Sequence, residues 1–92
     1  MFFYTYVLER AVDHERYVGY TSNLKRRLEE HEKGQSFATK PKLPMKLIYY
    51  EACRNQDDAK RREHYLKTTQ GRRFTGLRLK AYNSRQAFGA GS

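Results

Sequence analysis

Two short runs of strand-forming residues, separated by only a few polar ones, restrict the folds open to this chain more than any other feature. Residues 2–9 are aromatic, aliphatic and β-branched, led by Phe2, Phe3, Tyr4, Thr5, Tyr6, Val7 and Leu8. Arg16, Tyr17, Val18, Gly19 and Tyr20 read as a second strand. The stretch 11–15, with Asp13, suits a hairpin turn, so the two strands are expected to pair antiparallel.

Thr21, Ser22 and Asn23 offer N-caps, and Gly34 a C-terminal stop, for a helix over 24–33. Leu24 and Leu28 are its large apolar residues, so it packs by a narrow stripe. Pro41 and Pro44 make 35–44 a loop, and 46–51 reads as a third strand. Asn55 can cap a second helix with Asp57 and Asp58 in its first turn, running to about Lys67 and broken over 68–71. A last helix over 72–82 carries Phe74, Leu77, Ala81 and Tyr82 at helical spacing. The order β-β-α-β-α-α describes an α+β domain, a small three-stranded antiparallel sheet flanked by helices, over residues 1–83. Residues 84–92 are expected to form a loose tail.

Ninety-two residues suffice for one domain. A single cysteine, Cys53, excludes an internal disulfide and fits a reduced compartment. The apolar run after Met1 is too short to span a bilayer and has no basic leader, so a soluble, cytoplasmic protein without membrane attachment is expected.

The net charge is +9, and it is unevenly spread. From residue 60 to 85 there are nine Lys or Arg against one acid, Glu63, whereas residues 1–59 are nearly balanced at +1. A nucleic acid is the default partner for such a field. The expected contacts are Arg62, Lys67, Arg72, Arg73 and Arg78, with Lys40 and Lys42 of the loop. A solvated basic helix kept for solubility is the plainer reading of the same charges.

Certain polar residues stand where apolar ones are expected. Leu24, Arg27, Leu28 and His31 form one stripe of the first helix, which turns a guanidinium and an imidazole inward. Ala59, Glu63 and Leu66 do the same with a carboxylate on the second helix. Gly19 weakens its strand, and its usual use there is to let another group come close. Tyr6 and Tyr17 can lie near each other across the hairpin. An Arg27–Glu63 ion pair would explain those two residues without any chemistry. A lone carboxylate can equally hold a divalent cation, since magnesium is commonly bound through one or two carboxylates plus water and substrate phosphate.

As a set, these residues resemble the GIY-YIG nuclease family. Tyr4-Thr5-Tyr6 stands at the first motif and Tyr17-Val18-Gly19 at the second. The string that continues through Arg27 to His31 is similar to small stand-alone bacterial members, and residues 59–67 resemble the segment with the family's metal-binding Glu. The resemblance spans residues 2 to about 82. It implies that Tyr6 helps deprotonate the attacking water, that Tyr17 orders water and phosphate, and that Gly19 lets the site form close to the backbone. Arg27 is implied to contact the scissile phosphate, His31 to occupy a His-or-Tyr position, and Glu63 to bind one Mg2+ or Mn2+ ion. Tyr6 and His31 both remain candidates for the base. Tyr4 replaces the first Gly of the family name. Many members carry an Asn after the catalytic Glu; the one candidate here, Asn83, is not assigned that role.

The function these readings imply is metal-dependent hydrolysis of phosphodiester bonds, in DNA more than RNA. Substrate choice is expected to depend on structure or to be low in sequence specificity, with a protein partner able to add to it; repair, recombination or mobile-element processing fits such chemistry. The alternative is a non-catalytic nucleic-acid-binding module that retains the nuclease fold.

Overall fold

The hairpin forms where the strand-forming runs place it. In the computed structural model, which describes residues 1–84, β1 (Phe3–Arg10) is the central strand of a three-stranded antiparallel sheet. It lies between β2 (Arg16–Thr21) and β3 (Met45–Cys53). The turn is closed by Asp13, whose Oδ1 accepts the Glu15 amide at 3.1 Å. The register sets Tyr6 opposite Gly19 and Leu8 opposite Tyr17, which puts both tyrosines on one face of the sheet. Thr5 and Val7 take the other face. β3 runs longer than the expected 46–51 because its ladder with β1 continues to Ala52 and Cys53, opposite Tyr4 and Phe3. Pairing, more than side-chain pattern, decides where an edge strand ends.

α1 (Leu24–Glu32) starts at Asn23, whose side chain accepts the Arg26 amide, and the chain leaves it through Gly34 at φ +74°. Only glycine adopts that conformation without strain. α2 (Gln56–Leu66) begins at Asn55, which accepts the amides of Asp57 and Asp58. Both caps are as the sequence implies. α2 covers the Thr5–Val7 face of the sheet, where the Thr5 hydroxyl donates to the Ala59 carbonyl at 2.9 Å. Ala59 and Leu66 are buried with Tyr6, Val7 and Leu8. Full burial of one such leucine side chain contributes about 1.5–3 kcal/mol.

The C-terminal helix departs from expectation. α3 (Thr69–Arg78) is capped by Thr68 and begins within the segment expected to break the chain. Gly71 is part of this helix, and a Cβ on it would lie 1.9 Å from the Tyr65 carbonyl oxygen. The glycine therefore brings the first turn of α3 against the end of α2. Leu79 interrupts the helix, which resumes over residues 80–84. Of the tail expected over 84–92, Ser84 closes this helical piece and residues 85–92 lie outside the described residues.

This last piece is tied back to the hairpin. Tyr82 donates its hydroxyl to Glu9 at 2.7 Å, and Arg16 donates to Asn83 at 2.6 Å and to Glu9 at 3.2 Å. Burial alone would raise the Glu9 pKa, but the bonds from Tyr82 and Arg16 outweigh it and hold the carboxyl below its usual range. Among the described residues no helix is long and apolar enough to cross a membrane.

Candidate active site

The Tyr6 side chain is fully buried, and its ring lies across Gly19 of the edge strand β2. A Cβ at position 19 would fall 2.4 Å from both Cζ and Oη of Tyr6. This glycine is what opens a path for the phenol. Tyr17 stands beside it, with the ring centroids 6.4 Å apart.

α1 brings His31 over both rings, at centroid distances of 5.7 Å from Tyr6 and 5.5 Å from Tyr17. Its Nε2 is 2.8 Å from the Tyr6 hydroxyl, and its Nδ1 is 2.6 Å from Thr39 Oγ1. Both ring nitrogens are thus engaged in a buried chain of hydrogen bonds from loop to strand. Thr39 is fully buried, and its loop neighbour Ser36 is buried and accepts a bond from Arg27 at 3.3 Å. Each polar side chain on the inner stripe of α1 is therefore held by one hydroxyl of the 35–44 loop. Thr39 and Ser36 carry no signal in the sequence, because a loop hydroxyl has no periodic signature. The one available hint was that His31 and Arg27, turned inward, each require a partner.

Arg27 also donates to Glu30 at 2.9 Å. That carboxylate holds the guanidinium firmly in its charged form, and the Tyr6 and Tyr17 phenols act in the same direction. The Arg27–Glu63 ion pair that would have explained both residues structurally is not formed. Glu63 instead accepts from Lys67 at 3.1 Å.

The charges around Tyr6 act on it unequally, that of Glu63 on α2 most weakly. Burial pushes its pKa up to about 12; Arg27 opposes the rise, while Tyr17 and the charge of Glu63 add to it. The Glu63 carboxylate on α2 thus acts on the same phenol as Arg27 and His31 on α1. Burial, together with the neighbouring Arg27 charge, lowers the His31 pKa, so the ring is neutral at neutral pH.

Glu63 suits a hard cation as a partial ligand. Its side chain is 21% exposed, and its ion pair is with a lysine whose own side chain is 52% exposed. No group of three or more His, Cys, Asp or Glu able to hold a metal gathers among the described residues. A single carboxylate fits magnesium or manganese completed by water and phosphate, not a caged structural metal.

The residues expected to meet nucleic acid divide into two kinds. Arg62 is committed to the fold: it forms three hydrogen bonds with Glu51, at 2.9 to 3.1 Å, and lies 4.4 Å over the Phe74 ring. Lys42 is paired with Glu15 at 2.7 Å and Lys67 with Glu63. Lys40, Arg72, Arg73 and Arg78 are exposed and form no ion pair among the described residues.

Comparison with known proteins gives the same frame. The family model described as the GIY-YIG catalytic domain matches residues 2–85. A UPF0213 protein of Pediococcus pentosaceus is 48% identical over 66 residues, covering 71% of this chain and 68% of that one. A UPF0213 protein of Natronomonas pharaonis is 38% identical over 66 residues, covering 71% and 76%. Among solved structures, the solution structure of a UPF0213 protein from Bacillus halodurans superposes with a TM-score of 0.52 at 28% identity, covering 87% of this chain and 86% of that one. With the tyrosine pair, the glycine, the Arg–His stripe and the inward glutamate in family order, the chain belongs to the GIY-YIG catalytic-domain family.

Proposed function

We propose that this protein is a divalent-metal-dependent endonuclease, acting on DNA in preference to RNA. Tyr6 and His31 are its proton-transfer pair, Arg27 its phosphate ligand and Glu63 its metal ligand. The family is one of endonucleases, which supports phosphodiester cleavage as the general activity. The observation that carries the residue roles is the contact of His31 Nε2 with the Tyr6 hydroxyl at 2.8 Å, beside the charge of Arg27 and, more weakly, that of Glu63.

The magnitudes choose among the possible bases. With a pKa of about 12, forming a free Tyr6 phenolate at pH 7 costs about 7 kcal/mol, so tyrosinate alone is a poor reagent. In the tautomer this mechanism requires, neutral His31 accepts from the Tyr6 hydroxyl through Nε2 and carries its own proton on Nδ1, facing Thr39 Oγ1. As water attacks phosphorus, its proton passes to the Tyr6 oxygen while the Tyr6 proton passes to His31 Nε2. The buried pair ends as phenol and imidazolium, and no free phenolate forms. Arg27, fixed by Glu30 and Ser36, places its remaining donors toward the oxygens on which charge accumulates. Tyr17 packs against His31 and orients water and phosphate. Glu63 would hold the divalent ion, which when bound would supply further positive charge for the reaction.

The test is cleavage of plain, flapped and branched DNA duplexes, and of matched RNAs, with magnesium or manganese. Metal-dependent nicking by the wild type that disappears in Glu63→Ala is expected. Equal nicking by both proteins removes Glu63 from the mechanism. Salt-sensitive binding without turnover on any of these substrates favours a binding module instead.

A further inference from the structure

A cavity of about 560 Å³ lies between the closed end of the β1–β2 hairpin and the corner where α2 meets α3. Its size is within the range of about 300–1,000 Å³ common to pockets that enclose small ligands. Val18 is the accessible apolar face, backed by the buried Val7 and Leu66, while Lys67 and Arg72 stand at a cationic side and Glu15 lines the hairpin end. Nothing in the hydrolytic mechanism uses Val18, Leu66 or Arg72.

Two residues connect this cavity to the candidate active site. Tyr17 borders it, its ring turned to the opposite face of the sheet from Val18, 5.5 Å from that of His31. Lys67 lines it as well, with Nζ 3.1 Å from the Glu63 carboxylate. On the nuclease reading, a strand with its phosphate at Glu63 has Lys67 and the cavity beside it.

We propose that the cavity receives an unpaired nucleotide of the substrate, with its base against Val18 and its phosphate on Lys67 and Arg72. This rests on the nuclease reading and narrows the substrate class to nucleic acid with a nucleotide outside the duplex stack. The chemistry is complementary in both respects. A base offers a flat, weakly polar face to an apolar wall, and its phosphate offers negative charge to a rim in the strongly basic third of the chain. A paired base must first be unstacked, at a cost of a few kcal/mol that is least for a bulged or single-stranded one. Selection for an unpaired nucleotide thus follows from the cavity without any base-specific hydrogen bond.

The test compares two labelled DNA duplexes in buffer with a chelator, so that binding is read without cleavage. One carries a single unpaired adenine; the other carries an abasic residue at the same bulge. The wild type is expected to bind the adenine bulge at least about fivefold more tightly, the lower end of what a stacked base supplies. Val18→Phe, with its fold verified by circular dichroism, fills the cavity and brings the two duplexes within about twofold of each other. Arg72→Ala, an exposed change, lowers affinity for the adenine bulge more than for a fully paired duplex. Equal binding of the two bulges by wild type overturns the proposal, as does a folded Val18→Phe that keeps the preference. Should Val18→Phe not fold, the wild-type and Arg72→Ala comparisons decide alone. Cleavage of the abasic duplex with magnesium, lost in Glu63→Ala, leaves the nuclease reading standing when only the cavity fails. Binding of neither duplex overturns both.

Discussion

The Tyr6 hydroxyl and Nε2 of His31, 25 residues apart in the chain, stand 2.8 Å from each other in a buried contact. The strand residue lies across a glycine, and the helix residue is fixed from behind by Thr39. Each of these supports can be removed singly, and the consequences differ.

Gly19→Ala and Gly76→Ala form an informative pair. At position 19 the new methyl group meets the Tyr6 ring at 2.4 Å, whereas at position 76, inside α3, nothing lies within 4 Å. Gly19→Ala is expected to destabilise by about 1–3 kcal/mol through overpacking and to lower kcat by more than about tenfold by displacing the phenol. Gly76→Ala is expected to stabilise by about 0.4–1 kcal/mol with activity unchanged. Thermal denaturation beside a nicking assay checks both.

Thr39→Val keeps the shape of a fully buried side chain but withdraws the hydroxyl from His31 Nδ1. The unpaired ring nitrogen costs about 1–3 kcal/mol. The tautomer of His31, read from its 15N ring shifts, is expected to become mixed, and kcat to fall while KM changes little. Thr39→Ser retains the bond and should recover both the tautomer and most of kcat.

The His31 pKa is lowered in the folded state relative to about 6.5 when unfolded, so below that value the unfolded chain binds more protons. Stability is therefore fully present above about pH 6.5 and falls as pH drops through the folded pKa. Tyr6 acts at the opposite end. Its pKa of about 12 means that stability is lost as pH rises from about 10 through 12. Urea midpoints measured against pH should show both slopes. His31→Gln flattens the acid one and Tyr6→Phe the alkaline one.

Arg62 and Arg73 are neighbours of α2 and α3 with opposite fates. Arg62→Ala removes the Glu51 bonds and the contact with the Phe74 ring, and is expected to lower stability by about 1–3 kcal/mol. Arg73→Ala, at an exposed position, is expected to leave stability within about 0.5 kcal/mol. If Arg73 contacts a phosphate, its loss reduces the slope of log affinity against log salt by about 0.9 on duplex DNA. Denaturation curves and salt titrations separate the two.

Much of this architecture was legible in the chain because local physics decided it. Asn23 and Asn55 cap the helices they precede, and the hairpin forms between the two aromatic runs. Arg27, His31 and Glu63 stood out because inward charges are unusual on a thin apolar stripe. What stayed hidden depends on tertiary approach. Gly71 reads as a helix breaker but serves as a contact point for the end of α2. Arg62 is indistinguishable from its basic neighbours until Glu51 of β3 and Phe74 of α3 are seen to enclose it. Ser36 and Thr39 are ordinary loop residues in sequence and acquire their role only when the loop folds over α1.

The most direct test of the central claim is an amide NMR titration with substoichiometric Mn2+. If the groups described form one metal-assisted centre, broadening appears first around Glu63 and spreads to Tyr6 and Gly19 across the sheet edge, and it vanishes in Glu63→Ala. Broadening centred elsewhere, such as at Asp57 and Asp58, or left unchanged by that substitution, would contradict the account.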